Sequence, residues 1–184
     1  MSTSRLVYRT RQFWQAISTR ASREDMELAS TILSSSEFEL FQQMHKSEQA
    51  HSLRVLRGLI TQGEENPDLH TAALLHDVGK IRAPLRVWER VMVVLVKAFC
   101  PGCLQKWGTT NDEDLPEELG WRRAFIVSEQ HPAWGADLAS QSGVSELAVS
   151  LIARHQEQLP LAKDNQDSVE DNLLYKLQAV DNQS

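Results

Sequence analysis

The chain has 184 residues, 41% of them apolar and 24% charged, which is enough for one soluble domain with a buried core. Its net charge of −6 argues against a DNA-binding domain, which would normally be basic. No apolar signal core stands near the N-terminus and no apolar run approaches the ~20 residues of a membrane span, so a cytoplasmic protein is expected.

The first third reads as short helices with start signals. Ser22 stands three residues before Asp25, and Ser36 three before Glu39, a spacing that lets side chains satisfy free amides at a helix start. Apolar residues recur at helical spacing between Arg9 and Ile17 and again between Glu24 and Leu33. This arm, residues 1–46, carries no chemistry and is expected to pack on the core. Residues 47–184 form the main domain.

Ser47 is expected to cap a helix that reaches about Thr61 and stops at Gly63. His51, Val55 and Leu59 share one face of it. Asp68 is expected to cap the next helix, whose stripe is Leu69, Ala72, Ala73 and His76, with Asp77 one step round. Gly79 sits where a C-terminal cap belongs, and Lys80 suits the negative end of the helix dipole. Pro84 opens a helix from about Leu85 to Phe99 that contains Trp88 and the run Val91 to Val96. Its apolar surface suits the core or a homodimer contact better than a membrane surface. An acidic connection from Gly102 to Gly120 follows, so residues 84–120 read as a helical and acidic insertion.

Helix resumes from Trp121 to Glu129 and is expected to break at His131-Pro132, with His131 capping a helix to about Gln141. After Gly143, the stripe Val144, Leu147, Ala148, Leu151, Ile152 and His155 defines another helix, ended by Pro160. The last helix has Leu173, Leu177, Val180 and Asp181 on one face. No strand pattern or repeat occurs, so the class is all-α.

The segment Lys80 to Trp107 has a net charge of +5 within an acidic chain. It suits an anionic substrate or a solvated helix face. Cys100 and Cys103, in Cys-Pro-Gly-Cys, are too few for a disulfide framework or a four-thiolate zinc site, and read as loop cysteines without function.

His51, His76, Asp77, His131, His155 and Asp181 come from five helices, and most project from or beside apolar stripes. Burying a carboxylate such as Asp181 costs on the order of several kcal/mol unless it is paired or bound to metal. Imidazole and carboxylate together are the ligands of zinc, manganese and iron sites, and helical bundles build such sites inward from facing helices.

The motif Leu74-Leu75-His76-Asp77-Val78-Gly79-Lys80, with His51 upstream and Asp181 downstream, resembles the H…HD…D signature of the HD-domain superfamily of metal-dependent phosphohydrolases. The similarity spans Ser47 to Asp181. It implies an HD-domain helical bundle in which His51, His76, Asp77 and Asp181 bind a first metal. His131 and His155 match the extra histidines of dinuclear members, with Asp77 bridging two divalent ions; manganese, iron, magnesium and zinc stay open. Asp77 and Lys80 would be catalytic, and Lys80 with Arg82 would bind substrate. The implied reaction is hydrolysis of a phosphomonoester or phosphodiester of a nucleotide or related small molecule by a metal-activated hydroxide. Gln156 and the stretch Gln158-Leu159-Pro160-Leu161 depart from the HD-GYP pattern and disfavour cyclic-di-GMP. The same ligand set also resembles HD-fold di-iron oxygenases. A non-catalytic binding or interaction module is the third reading.

Overall fold

A computed structural model describes residues 21–109, 120–157 and 168–184. The expected helix between Arg9 and Ile17, most of the acidic connection and Pro160 lie outside them. The described residues form nine α-helices and one 3-10 turn, with no strand among them, so the fold is all-α. None of the helices is long and apolar enough to cross a membrane.

Helices α1 (Arg23–Ile32) and α2 (Ser35–Gln43) each begin with a capping box, Ser22 with Asp25 and Ser34 with Glu37. The second cap is Ser34, not Ser36. Both serines precede a glutamate by three residues, and the earlier register adds helical hydrogen bonds while freeing Ser36 Oγ to donate to the Ser142 carbonyl. Ala29, Leu33, Leu40, Phe41 and Met44 enter the same core as the later helices.

Helix α3 (Lys46–Thr61) is capped by His45, whose Nδ1 accepts the Ser47 amide, rather than by Ser47. It ends before Gly63, whose φ of 80° the missing Cβ permits. Helix α4 (Pro67–Leu75) is capped by Asn66, with Pro67 in the first turn; Asp68, expected as the cap, instead accepts a hydrogen bond from Ser145 Oγ. Pro67 fixes this start, because its missing amide has no role in the first turn. Leu69, Ala72, Ala73, Leu74 and Leu75 are all fully buried, which makes α4 the central helix.

The chain then tightens into a 3-10 turn (Val78–Arg82). Gly79 lies buried inside this turn and is not a left-handed cap. A Cβ there would overlap the His131 carbonyl oxygen and stand 2.6 Å from the Gly135 amide. Gly79 and Gly135 therefore let the turn lie backbone to backbone on helix α7 (Arg123–Gln141). That helix is about 28 Å long at 1.5 Å per residue. It runs without a break through His131 and Pro132, against the expected boundary. The last helices are α8 (Glu146–Arg154) and α9 (Val169–Asp181), whose Leu151, Ile152, Leu174 and Leu177 complete the core.

Between the turn and α7 lie α5 (Val87–Phe99) and α6 (Pro101–Gly108). The only buried residue of α5 is Glu89, which accepts from Arg123 at 2.7 Å, so a buried ion pair ties this helix down in place of an apolar stripe. Val87, Trp88, Val94, Leu95 and Phe99 are exposed among the described residues. Cys100 and Cys103 are joined in a disulfide where α5 passes into α6, so they are not free loop thiols.

Candidate metal centre

Three histidines reach the centre of the domain by the same local device. His76 follows α4, His155 follows α8, and His131 sits inside α7. All three are buried. His76 Nδ1 lies 2.9 Å from the Ala73 carbonyl and His155 Nδ1 lies 2.8 Å from the Ile152 carbonyl. A carbonyl only accepts, so each Nδ1 carries the proton and each Nε2 presents a lone pair to the centre. This is the arrangement that orients imidazole ligands toward a metal.

Pro132 serves the third histidine. A proline has no amide to give to the carbonyl four residues earlier, so the Ser128 carbonyl is released from the helical ladder. His131 Nδ1 lies 2.9 Å from that oxygen and 3.0 Å from the Val127 carbonyl. The pair His131-Pro132, which resembles a helix boundary in sequence, thus fixes the tautomer of a mid-helix histidine.

Asp77 is common to the two groups whose ligand atoms converge, His51–His76–Asp77 and Asp77–His131–His155. Its Oδ2 is 3.7 Å from His76 Nε2 and its Oδ1 is 3.3 Å from His131 Nε2. Asp181 joins the first group through His51 Nε2, at 2.7 Å, and stands 3.6 Å from His76 Nε2. The backbone contact at Gly79 and Gly135 brings Asp77 and His131 together from distant parts of the chain.

Two features fit a cation. His76 Nε2 is buried without a hydrogen-bond partner, and His131 Nε2 and His155 Nε2 face each other at 3.2 Å with both Nδ1 atoms already donating. Opposed lone pairs repel. Two nitrogens bound to one ion at ~2.1 Å each would be about 3.0–3.4 Å apart for angles between octahedral and tetrahedral, which brackets the observed separation.

The charges around the centre reinforce each other. Burial alone would raise the Asp77 carboxyl, but Lys80, His76 and His131 hold it well below the usual carboxylate range. Lys80 Nζ donates to Asp77 Oδ2 at 2.6 Å and lies 3.6 Å from Glu48. Those two carboxylates outweigh burial and raise its pKa. Burial also opposes ionisation of Asp181, yet the hydrogen bond from His51 and the nearby His76 bring it down to about 2. The same bond raises His51 against its burial. His155 is driven down to about 3, by burial first and then by its neighbours His131 and His76. A histidine so disposed is neutral, the form that can bind a metal.

Above the centre opens a cavity of about 530 Å³. His51, Asp77, Lys80 and His131 line it, while Met44, Ile81, Leu85, Val93, Val94 and Val127 supply an apolar wall. Arg82 does not line it and faces Asp137 at 3.7 Å. The cations that do line it, besides Lys80, are Arg54, Arg90 and Lys97. Arg90 is held by Glu48 at 2.7 Å and by Ser47 Oγ at 2.9 Å. Glu48 and Arg54 escaped the sequence reading, although each stands three residues from His51 and so shares its helical face.

No protein-family model, curated protein or solved structure matches this chain.

Proposed function

We propose that this protein is a metal-dependent phosphohydrolase that cleaves a small phosphoester, of the nucleotide class, at the His/Asp centre. One observation carries the reading: three buried imidazoles fixed by backbone carbonyls turn their Nε2 atoms toward a shared carboxylate, at the floor of a cation-lined cavity. His51, His76, Asp77 and Asp181 would hold one divalent ion, and Asp77, His131 and His155 a second. Such ions polarise a phosphoryl oxygen and make a bound water acidic enough to act as hydroxide near neutral pH.

The chain's own groups have separate tasks. Lys80 keeps Asp77 ionised and turned toward the imidazoles, and its ammonium is placed to neutralise a phosphate oxygen in the cavity. Glu48 takes up part of the charge of Lys80 and Arg90 and fixes both side chains. The wall formed by Leu85, Val93 and Val94 can receive the uncharged part of a substrate and keep water from it.

The experiment is to purify the protein without chelators, quantify bound metals, and assay phosphomonoesters, phosphodiesters and nucleotides with and without manganese while recording oxygen uptake. Metal-dependent hydrolysis that is lost in both His76→Ala and Asp77→Ala is the expected result. Oxygen consumption with two irons per chain would replace hydrolysis by oxygenase chemistry. A protein that takes up no metal would overturn both.

A further inference from the structure

Arg54 has no role in the centre described so far. It lies on α3 one turn beyond His51, and it lines the same cavity as His51, Asp77, Gln156 and Ser184. Its Nη1 is shielded from solvent and has no hydrogen-bond partner. The other half-buried arginines among the described residues are each satisfied. Arg90 is held by Glu48, Arg122 donates to the Trp107 and Thr109 carbonyls, Arg123 pairs with Glu89, and Arg154 binds Glu157, Glu170 and Asp171. No carboxylate lies within ion-pair distance of Arg54 among the described residues. Burial alone depresses its pKa, as expected for a guanidinium with nothing to offset its lost hydration.

A partly desolvated cation without a counter-ion destabilises the fold unless a ligand supplies the anion. Guanidinium is suited to this because its planar fork gives two parallel donors to a carboxylate or phosphoryl group. The cavity charge favours the phosphoryl group. Arg54, Lys80, Arg90 and Lys97 outnumber the two acidic side chains that line the cavity, Glu48 and Asp77, and those side chains are engaged by Lys80 and Arg90.

We infer that Arg54 is the anion anchor of this cavity and grips a phosphoryl group of the ligand with its guanidinium. The assignment rests on the phosphoester reading for its biological ligand, but the anion site itself does not need the metals. Arg54 makes the cavity selective for ligands that keep a phosphoryl oxygen within reach of α3, and discriminates against uncharged compounds that fit the apolar wall.

The test is calorimetric titration of the full-length protein with methylenediphosphonate, a phosphoanion that phosphoester chemistry does not consume, both as purified and in excess EDTA. Wild type, Arg54→Met and Arg54→Lys are compared, with thermal unfolding of each in the absence of ligand. Loss of a charge-assisted contact predicts at least about tenfold weaker binding by Arg54→Met in both conditions, with partial recovery in Arg54→Lys. The unliganded Arg54→Met protein should melt no lower than wild type, because removing an unpaired cation relieves the folded state. Equal affinity of wild type and Arg54→Met, or no binding by wild type, would overturn the inference. So would an Arg54→Met protein that melts well below wild type, since Arg54 would then be a structural cation. The EDTA arm separates this outcome from failure of the hydrolase reading, which is decided by metal uptake and turnover.

Discussion

Replacing Gly79 with alanine tests the contact that assembles the candidate metal centre. A Cβ at this position would overlap the His131 carbonyl oxygen and crowd the Gly135 amide at 2.6 Å. Both neighbours are backbone, so no side chain can rotate away. The 3-10 turn and α7 must separate by about 1 Å to restore ordinary contact. Overpacking of this kind costs roughly 1–3 kcal/mol, and the rigid neighbours here argue for the upper part of that range. For a domain of this size that lowers the melting temperature by about 4–12 °C, at 2–4 °C per kcal/mol. The same displacement pulls Asp77, two residues earlier, from His131, which it approaches at 3.3 Å. Misplacement by 1 Å is enough for a loss of about 100-fold in turnover. Differential scanning calorimetry of Gly79→Ala and Gly79→Asn measures the first effect, and metal content with phosphoester turnover measures the second. If Gly79 were the helix cap that its position in the sequence suggests, asparagine would be the milder replacement, because it tolerates left-handed backbone. The close approach requires asparagine to be at least as damaging as alanine. A Gly79→Asn protein with wild-type melting and metal content would refute the reasoning.

Pro132→Ala restores an amide to the Ser128 carbonyl and so competes with His131 Nδ1 for it. The helix should gain up to ~3 kcal/mol, while divalent-metal affinity falls about tenfold as the ring loosens. A chelator competition that finds unchanged affinity would show that packing alone orients His131. Deleting residues 181–184 removes the carboxylate that holds His51 at 2.7 Å; bound metal should be lost while circular dichroism retains most of its helical signal, and undiminished metal content would contradict the assignment of Asp181. In the metal-free protein, acid should erode the α8–α9 contact. Glu170 is held below its usual 4.5, first by the Ser150 hydroxyl and then by Arg154. Because the folded pKa is depressed, its stabilisation is complete above about 4.5 and vanishes as pH falls through the lower folded value. Arg154→Met should flatten the pH dependence of melting in that window, and an unaltered slope would exclude the ion cluster as its source.

Much of this protein is determined by sequence alone. Helical spacing of apolar residues defines the all-α class, since a stripe such as Leu151, Ile152 and His155 has one way to be buried. The inward-facing histidines His51, His76 and His155 were legible for the same reason, since a histidine on an apolar stripe points inward wherever the helix finally packs; His131, expected at a helix start, was singled out only by the family resemblance, and the four imidazoles converge. Caps were legible only where one register existed. Ser22 with Asp25 was unambiguous, whereas the serines from Ser34 to Ser36 offered two starts, and Pro67 moved the α4 cap from Asp68 to Asn66.

Tertiary structure decided what depends on neighbours distant in the chain. Pro132 resembles a helix start until α7 is seen to continue through it and to spend the released carbonyl on His131. Gly79 resembles a cap until the backbone of α7 is laid against it. Arg82 and Arg54 are equally charged in sequence, yet Arg82 turns to Asp137 on the surface and Arg54 lines the cavity without a partner. Periodicity reports which face of an element is buried; which charges meet across a cavity is set by packing between elements, and no local pattern encodes that.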